Sequence, residues 1–218
     1  LYIKDAGKTL LQVVDNGCGM SETDARMSFE RHATSKINKV DDLFAIKTMG
    51  FRGEAMSSMA AIAHIEMKSK LTDKELGTHI FIEGTQVKKQ DDCSCSNGTS
   101  ISIKNLFYNV PARRNFLKSD KVETRHIMEQ FSRIALANPD IKMSMYLDDV
   151  EHFHLEKSNK RQRIVNVTGA KSNQKLVPIK EETTLVNLSG FIGKPEFCKR
   201  TRGEQYFFVN NRFIKSHY

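Results

Sequence analysis

Hydrophobic residues recur along the chain with two spacings, one typical of strands and one typical of helices. Apolar runs and alternation predict strands over residues 10–14, 64–70, 78–83, 100–104, 142–147 and 150–155. Apolar residues on one face predict a long helix that begins at Asp120 and ends before Pro139. Shorter helices are expected over residues 21–31, 54–63 and 158–169. This mixture of elements predicts a fold of the α+β class.

The last third of the chain is expected to begin a second domain. Residues 171–184 are mostly polar and predict a linker between the two domains. Strand-forming residues and an Asn-Asn turn of type I′ then follow at 185–192, 205–209 and 210–211. We therefore expect one domain over residues 1–170 and the start of another over residues 171–218.

An Asp-Asn-Gly-Cys-Gly stretch at residues 15–19 directly follows the apolar residues 10–14. The carboxylate of Asp15 would lie where a strand ends, and it could accept a hydrogen bond from the amino group of a nucleobase. Gly17 and Gly19 would let the backbone approach a planar ring and take positive φ. This stretch predicts the base end of a nucleotide pocket.

A second glycine-bearing stretch, Thr-Met-Gly-Phe-Arg-Gly-Glu-Ala, occupies residues 48–55. Gly50 and Gly53 precede the helix expected over residues 54–63, whose N-terminal N–H groups and dipole suit phosphate oxygens. Each stretch alone is a weak signal, because similar sequences occur in ordinary turns. Together they predict a pocket that holds a base at one end and phosphates at the other.

Four more stretches accompany these two: Glu-Arg-His-Ala-Thr-Ser-Lys-Ile at 30–37, Gly-Thr at 98–99, Leu-Phe-Tyr-Asn-Val-Pro-Ala-Arg-Arg at 106–114 and Arg-Gly-Glu-Gln-Tyr-Phe-Phe-Val-Asn-Asn-Arg at 202–212. The order and spacing of the series closely resemble the MutL family of DNA mismatch-repair ATPases, which shares a superfamily with gyrase B and histidine kinases. The resemblance covers nearly the whole chain. It implies a two-layer α/β sandwich of this ATPase type, followed by the start of a ribosomal-S5-like transducer domain.

The resemblance implies ATP and Mg²⁺ as cofactors and assigns parts of the pocket to them. Asp15 would read the adenine amino group, with the Thr99 hydroxyl in support, and the glycine-bearing lid would cover the triphosphate. Magnesium would offset the phosphate charge, although no metal ligand is assigned within this chain. The implied ATP-binding residues are Asp15, Gly17, Gly19, Thr34, Ser35, Lys36, Gly50, Phe51, Arg52, Gly53 and Thr99.

The family carries its catalytic glutamate and its magnesium-binding asparagine on a helix upstream of the first glycine-bearing stretch. The chain starts at Leu1, in what resembles the hairpin just before Asp15, and it stops at Tyr218 before a lysine that the family places near the γ-phosphate. We therefore expect an internal fragment without a catalytic residue. The intact protein would be a weak Mg²⁺-dependent ATPase, and this fragment would be inactive.

The resemblance implies that ATP drives dimerisation into a DNA-loaded clamp that couples mismatch recognition to strand removal. The implied partners are DNA, a second copy or a paralogue, and a mismatch-recognition protein. The alternative is a DNA-binding matchmaker whose nucleotide pocket is a switch with negligible turnover. No apolar run approaches the roughly 20 residues of a membrane span, and we expect the bacterial cytoplasm rather than a nucleus.

The net charge of +8 is unevenly distributed. Residues 1–150 hold 21 Lys and Arg against 20 Asp and Glu, whereas residues 151–218 hold 13 against 6, so the net charges are +1 and +7. Such an excess predicts sequence-independent contacts to DNA phosphates. This hypothesis is favoured over the alternative of solvated faces on a fragment, and the resemblance favours it further. The candidate DNA-binding residues are Arg161, Arg163, Lys199, Arg200, Arg202, Arg212 and Lys215.

The four cysteines contain no Cys-x-x-Cys pair, and reduced thiols are their simplest interpretation. The Cys-x-Cys sequence at residues 93–95 favours a polar loop over a metal site. His152 and His154 would share a strand face, but no third ligand is nearby in sequence. The sequence therefore predicts no metal centre within the chain.

Overall fold

The computed structural model describes residues 1–31, 33, 50, 53–198 and 204–215. Its contacts divide the chain into two compact units. The first unit comprises Leu1–His126 and Met145–His152, and the second comprises Ile127–Ser144 and Phe153–Tyr218. Within the described residues, no helix is both long enough and apolar enough to cross a bilayer.

An eight-stranded mixed sheet forms the framework on which the first unit is built. Its strands are β1 (Tyr2–Lys4), β2 (Leu10–Asp15), β3 (His64–Lys70), β4 (Gly77–Glu83), β5 (Gln86–Cys93), β6 (Gly98–Lys104), β7 (Met143–Leu147) and β8 (Val150–Leu155). Their order across the sheet is β5-β4-β3-β6-β2-β1-β7-β8. The pairs from β5 to β1 are antiparallel, whereas β1 and β7 are parallel. This order brings the end of β2 beside the start of β6.

The core of the first unit lies on one face of β3, β4 and β6. Two short helices, α1 (Glu22–Met27) and α2 (Ala55–Ala60), contribute Ala25 and Ala60 to it. Ile65 and Met67 of β3 are fully buried there, because successive strand residues point to opposite faces. Both helices are shorter than the sequence pattern predicts. Ser21 caps α1 as expected, accepting a hydrogen bond from the Asp24 N–H at 3.1 Å.

The opposite face of the same strands is polar and partly exposed. Glu66 of β3 lies at its centre, where the Lys104 ammonium of β6 donates a hydrogen bond to its carboxylate. Lys68 Nζ lies 4.0 Å and His79 Nε2 lies 3.2 Å from Glu66 Oε1. The hydrogen bond from Lys104 is the main reason that the pKa of Glu66 is lowered, against an opposing effect of burial.

Three further helices are α3 (Pro111–Asn115), α4 (Asp120–Ala137) and α5 (Lys160–Thr168). The second unit contains α5 and the part of α4 from Ile127 onwards. It also contains two hairpins, formed by β9 (Leu176–Glu182) with β10 (Asn187–Gly193) and by β11 (Phe207–Val209) with β12 (Arg212–Ile214).

The turn between β11 and β12 has the predicted geometry, and the hairpin contacts α4. Asn210 and Asn211 have φ of 49° and 64°, the positive values that a type I′ turn requires. The Arg133 guanidinium of α4 lies 4.1 Å from the centre of the Phe213 ring, close enough for a cation–π contact. Within the second unit, this contact joins the hairpin to the helix.

Two predictions of secondary structure are wrong. Residues 171–184 are not a linker, because a 3-10 turn over Ala170–Lys175 and the seven-residue strand β9 occupy most of that segment. The sequence pattern also did not predict β5, a strand of eight mostly polar residues at the edge of the sheet. Exposed edge strands need no apolar alternation, so periodicity gave no signal for either strand.

Candidate functional site

The carboxylate of Asp15 is held in place at the end of β2. Asp15 pairs with Thr99 of β6 in the antiparallel register. Its Oδ1 atom accepts hydrogen bonds from the N–H of Gly17 at 2.9 Å and from the N–H of Thr99 at 3.2 Å. Among the described residues none donates to Oδ2, and the residue is exposed. One carboxylate oxygen is therefore fixed by the backbone, and the other is available to a ligand.

A buried hydroxyl pair fixes the strand that carries Thr99. Ser69 of β3 and Thr99 are both buried, and their hydroxyl oxygens lie 2.9 Å apart. Ser69 Oγ also accepts from the Met20 N–H at 2.9 Å and lies 3.2 Å from the Gly98 carbonyl oxygen, to which it donates. The single Ser69 hydrogen then points at Gly98, so the Thr99 hydroxyl donates to Ser69. The pair ties the turn at Met20 to the Asp15 end of the sheet.

The glycines around Asp15 are needed for close backbone packing. Gly19 has φ of +71°, and a Cβ on it would lie 2.0 Å from the Lys70 carbonyl oxygen. Gly98 has φ of +100°, and a Cβ there would lie 2.2 Å from the Asp15 carbonyl oxygen. Gly17 does not have positive φ, so that part of the prediction is wrong. A side chain at residue 17 would crowd the Asp15 carboxylate, because its Cβ would lie 2.9 Å from Asp15 Oδ1.

The predicted phosphate end is only partly described. Gly53 has φ of +65°, and a Cβ on it would lie 2.3 Å from the Ala33 carbonyl oxygen, which explains the glycine. A Cβ on Gly50 would meet no described atom within 4 Å. The predicted contacts of five further residues lie outside the described structure: Thr34, Ser35, Lys36, Phe51 and Arg52. The structure thus brings together Asp15, Gly17 and Thr99, with Gly19 adjoining.

A cavity of about 730 Å³ lies elsewhere in the first unit. Residues of α1, α2, β4 and β5 line it, among them Ala60 and Val87, together with Phe29 just after α1. Its charged lining residues are Arg26, Glu30 and Arg31. None of the predicted nucleotide-binding residues is among its described lining residues. The strand end at Asp15 stays the predicted base end of the site, and the described lining of this cavity does not include it.

One predicted DNA-binding residue is corrected by the structure. Arg163 of α5 is fully buried, and its Nη2 donates to the carbonyl oxygens of Pro139, Ile141 and Glu156 at 2.9, 2.6 and 3.1 Å. Burial lowers the pKa of this guanidinium. A side chain without exposed surface cannot contact a phosphate, so the prediction for Arg163 is wrong. Its role is to join the end of α4 and the end of β8 to α5 within the second unit.

The other predicted DNA-binding residues are differently placed. Arg161 is partly buried and donates to the side chain and the carbonyl of Asn173 at 2.9 and 2.8 Å. Arg212 and Lys215 are exposed on and just after β12. Three residues lie outside the described structure: Lys199, Arg200 and Arg202. The described part of the chain thus brings no cluster of these cations together.

Sequence reasoning also missed functional candidates in the first unit. Arg113 and Arg114 of α3 are exposed, and Phe116 just after the helix is 83% exposed. The neighbouring Lys118 is exposed as well. The Arg-Arg pair was not predicted as a DNA contact, because the net charge over residues 1–150 is close to zero. Ser69 gave no signal, because only the strand register reveals that it faces Thr99.

The chain is similar in sequence to DNA mismatch repair proteins. A family profile described as "DNA mismatch repair protein, C-terminal domain" matches residues 164–218. The DNA mismatch repair protein MutL of Christiangramia forsetii is 62% identical over all 218 residues, which make up 35% of that protein. The MutL proteins of Flavobacterium psychrophilum and Bacteroides fragilis are 60% and 51% identical over the same length, covering 36% and 35% of those proteins. The chain belongs to the MutL family.

Solved structures confirm the fold predicted for this MutL chain. The Aquifex aeolicus MutL ATPase domain complexed with ADP matches 99% of the chain and 74% of its own, with a TM-score of 0.72 and 24% identity. The N-terminal domain of a DNA repair protein matches 97% of the chain and 68% of its own, with a TM-score of 0.79 and 24% identity. At this identity the likeness shows the fold. The ATPase region of Saccharomyces cerevisiae topoisomerase II, bound to ICRF-187, matches more distantly, covering 82% of the chain and 48% of its own, with a TM-score of 0.55 and 13% identity.

The MutL chain spans about a third of the curated relatives that it matches. The MutL relatives confirm the resemblance to that family, and the solved structures confirm the α+β fold of its ATPase type. The domain boundaries at residues 1–170 and 171–218 stay predictions.

Proposed function

We propose that this MutL chain supplies the base end of an ATP-binding site in a DNA mismatch-repair ATPase. The observation that carries the proposal is the Asp15 carboxylate, with Oδ1 held by two backbone N–H groups and Oδ2 available. A structural neighbour is a MutL ATPase domain in complex with ADP, which supports a nucleotide as the ligand.

The arrangement favours adenine over guanine. An ionised carboxylate only accepts hydrogen bonds, and the 6-amino group of adenine donates one. Guanine presents a carbonyl oxygen at the same position, which would face Asp15 Oδ2 as acceptor against acceptor. Because two backbone groups already orient the carboxylate, binding requires little further ordering of this side chain. Asp15 thus both binds the base and determines the preference for adenine.

The phosphate end of the proposed site is the segment from Thr34 to Gly53. Backbone N–H groups at Gly50 and Gly53 and the side chains of Lys36 and Arg52 would offset phosphate charge. The described residues contain no group of three or more His, Cys, Asp or Glu side chains that could hold a metal. We assign none of the described residues as a Mg²⁺ ligand and no step of the reaction to the metal.

In the whole protein, we propose that nucleotide binding and hydrolysis drive a clamp on DNA that couples mismatch recognition to strand removal. The proposed partners are DNA, a second copy or a paralogue, and a mismatch-recognition protein, in the cytoplasm of a bacterium. The ATPase function is favoured over the matchmaker without turnover because the structural neighbours include MutL ATPase domains. Phosphate release by the full-length protein would separate the two, since the matchmaker would show none.

A matched pair of ligands tests the base end directly. Inosine triphosphate differs from ATP in carrying a 6-oxo group where adenine has its amino group. Calorimetric titration of the full-length protein should give an affinity for ATP at least about tenfold higher, because the loss of the amino group leaves Oδ2 facing an acceptor. Equal affinities for the two triphosphates would contradict the proposed role of Asp15.

A further inference from the structure

Two thiols lie together at the edge of the sheet, close to the candidate site. Cys93 is the last residue of β5 and pairs with Gly77 of β4. The Sγ atom of Cys95 lies 2.6 Å from the position that a Cβ on Gly77 would take. Both cysteines are free and partly exposed. The missing side chain of Gly77 therefore makes room for the Cys95 thiol beside the strand position that pairs with Cys93.

Burial affects the reactivity of the Cys93 thiol. Burial, and then a hydrogen bond with Cys95, raise the pKa of Cys93 to about 11. At neutral pH Cys93 is therefore almost entirely protonated, and a protonated thiol is a poor nucleophile. With Cys93 protonated, we assign the first attack to Cys95.

We propose that Cys93 and Cys95 form a reversible intrachain disulfide, with a low-molecular-weight disulfide as the oxidant. The Cys95 thiolate attacks one sulfur of the oxidant and displaces the other as a thiolate, which takes up a proton. Cys93 then loses its proton and attacks Cys95 Sγ in the mixed disulfide, releasing the second thiol. Two protein thiols are oxidised and one small disulfide is reduced to two thiols.

The disulfide would act on the Asp15 end of the sheet. Only residues 96–98 separate Cys95 from Thr99, whose N–H binds Asp15 Oδ1. Gly98 packs closely against the end of β2, since a Cβ there would lie 2.2 Å from the Asp15 carbonyl oxygen. Closing the ring draws Cys95 toward Cys93 and away from Gly77. The Thr99 N–H then shifts relative to Asp15, a consequence that rests on the proposed nucleotide function, whereas the disulfide itself does not.

Peptide mapping tests the disulfide. The full-length protein is equilibrated with glutathione disulfide, its free thiols are alkylated, and it is digested with trypsin. The peptide of residues 90–104 contains both thiols, while Cys18 and Cys198 fall on other peptides. We expect this peptide to lose two hydrogen atoms, to escape alkylation and to recover both thiols after reduction. A peptide that stays doubly alkylated, or that carries two glutathione groups, would overturn the proposal.

Single serine variants test the order of attack. Cys93→Ser should accumulate a glutathione mixed disulfide at Cys95, because the resolving thiol is absent. Cys95→Ser should leave Cys93 largely unmodified over the same time, because its thiol is protonated. Equal modification of the two variants would overturn the assigned order, and with it the role of burial at Cys93.

Nucleotide affinity tests the coupling. The oxidised protein should bind ATP about fivefold more weakly than the reduced protein, the equivalent of one hydrogen bond. The Cys93→Ser/Cys95→Ser variant should bind ATP equally with and without oxidant. Unchanged affinity in the presence of the mapped disulfide would overturn the coupling. If the reduced protein does not bind ATP, the proposed function is overturned. The peptide map would still show whether the disulfide forms.

Discussion

At the scale of single residues, the two oxygens of the Asp15 carboxylate have different roles. Oδ1 is held by the backbone, and Oδ2 is available to a ligand. Asp15→Asn keeps an oxygen that can accept from Gly17 and Thr99, but it replaces the available oxygen with an amide donor. The fold should persist, while ATP affinity of the full-length protein should fall at least about tenfold, because an adenine donor would meet another donor. Calorimetry with ATP and inosine triphosphate should also show that the preference for ATP is lost.

A matched variant controls for the loss of one negative charge. Asp73 is exposed in the turn after β3, and Asp73→Asn should leave ATP affinity unchanged. An equal loss of affinity in the two variants would point to net charge. Unchanged affinity in Asp15→Asn would remove Asp15 from the site.

The hydrogen bonds of the Ser69 hydroxyl predict that it stabilises the fold next to the same site. Ser69→Ala leaves the Met20 N–H and the Thr99 hydroxyl without their buried partner. The free energy of unfolding should fall by about 1–3 kcal/mol, the cost of unpaired buried polar groups. Urea unfolding measures this change, with Ser58→Ala on an exposed position of α2 as the control. Equal stability of the two variants would show that the hydroxyl pair is dispensable.

The site could be predicted from the sequence where local chemistry determines the residue. Asp15 was visible because a carboxylate followed an apolar strand and preceded two glycines. Ser69 was not, because its role depends on the register between β3 and β6, which are about thirty residues apart in sequence. Arg163 was misread because a charged residue in a basic segment gives no sign that three distant carbonyl groups surround it.

At the scale of elements, the prediction succeeded where one face of an element is buried. The pattern placed β3 at its observed bounds, since alternate residues enter the core. It omitted β5 and β9, whose residues are mostly exposed. Strands of this kind are specified by hydrogen bonding to a neighbour rather than by their own hydrophobic pattern. Sequence periodicity therefore reports burial more directly than it reports strand pairing.

Arg163 gives a prediction at the same scale, because it joins three segments of the second unit. Arg163→Met should lower the free energy of unfolding by about 3 kcal/mol, since three carbonyl oxygens lose a charged donor in a buried place. The control is Arg161→Met, which removes a partly exposed side chain. Urea unfolding should separate the two variants. Weakened DNA binding by fully folded Arg163→Met would restore the phosphate role that the structure excludes.

Glu66 gives a pH-dependent prediction for the polar face of the sheet. Its folded-state pKa lies below its usual value of 4.5, chiefly because Lys104 donates a hydrogen bond to it. A carboxylate with a lowered pKa contributes stability that is fully present above its unfolded pKa and is lost as pH falls through the folded pKa. Between about pH 5 and pH 3, stability should therefore fall more steeply in the natural protein than in Glu66→Gln. Parallel curves from urea unfolding would contradict this role.

At the scale of the whole molecule, the charge distribution is visible in the sequence but its geometry is not. The net charges of +1 for residues 1–150 and +7 for residues 151–218 predict an electrostatic surface in the last third. The structure removes Arg163 from that surface, and it shows Arg113 and Arg114 as exposed residues of the first unit. Net charge counts residues, whereas a phosphate contact needs an exposed side chain.

DNA binding should therefore depend on salt more than on sequence, and the basic pair at residues 200–202 supplies the test. Reversing Arg200 and Arg202 to Glu in the full-length protein should weaken binding to duplexes of unrelated sequence by the same factor. Each phosphate contact that is lost should reduce the slope of log affinity against log salt by about 0.9, because fewer counterions are released.

The control reverses Lys88 and Lys89 on β5, which changes net charge by the same amount at the edge of the sheet. Fluorescence anisotropy at several salt concentrations measures both slopes. Equal slopes for the two double variants would mean that binding senses only total charge. A loss confined to one DNA sequence would mean that the pair contacts bases, because phosphate contacts carry no sequence information. A shallower slope for Arg200 and Arg202 alone would place the DNA backbone against the last third of this chain.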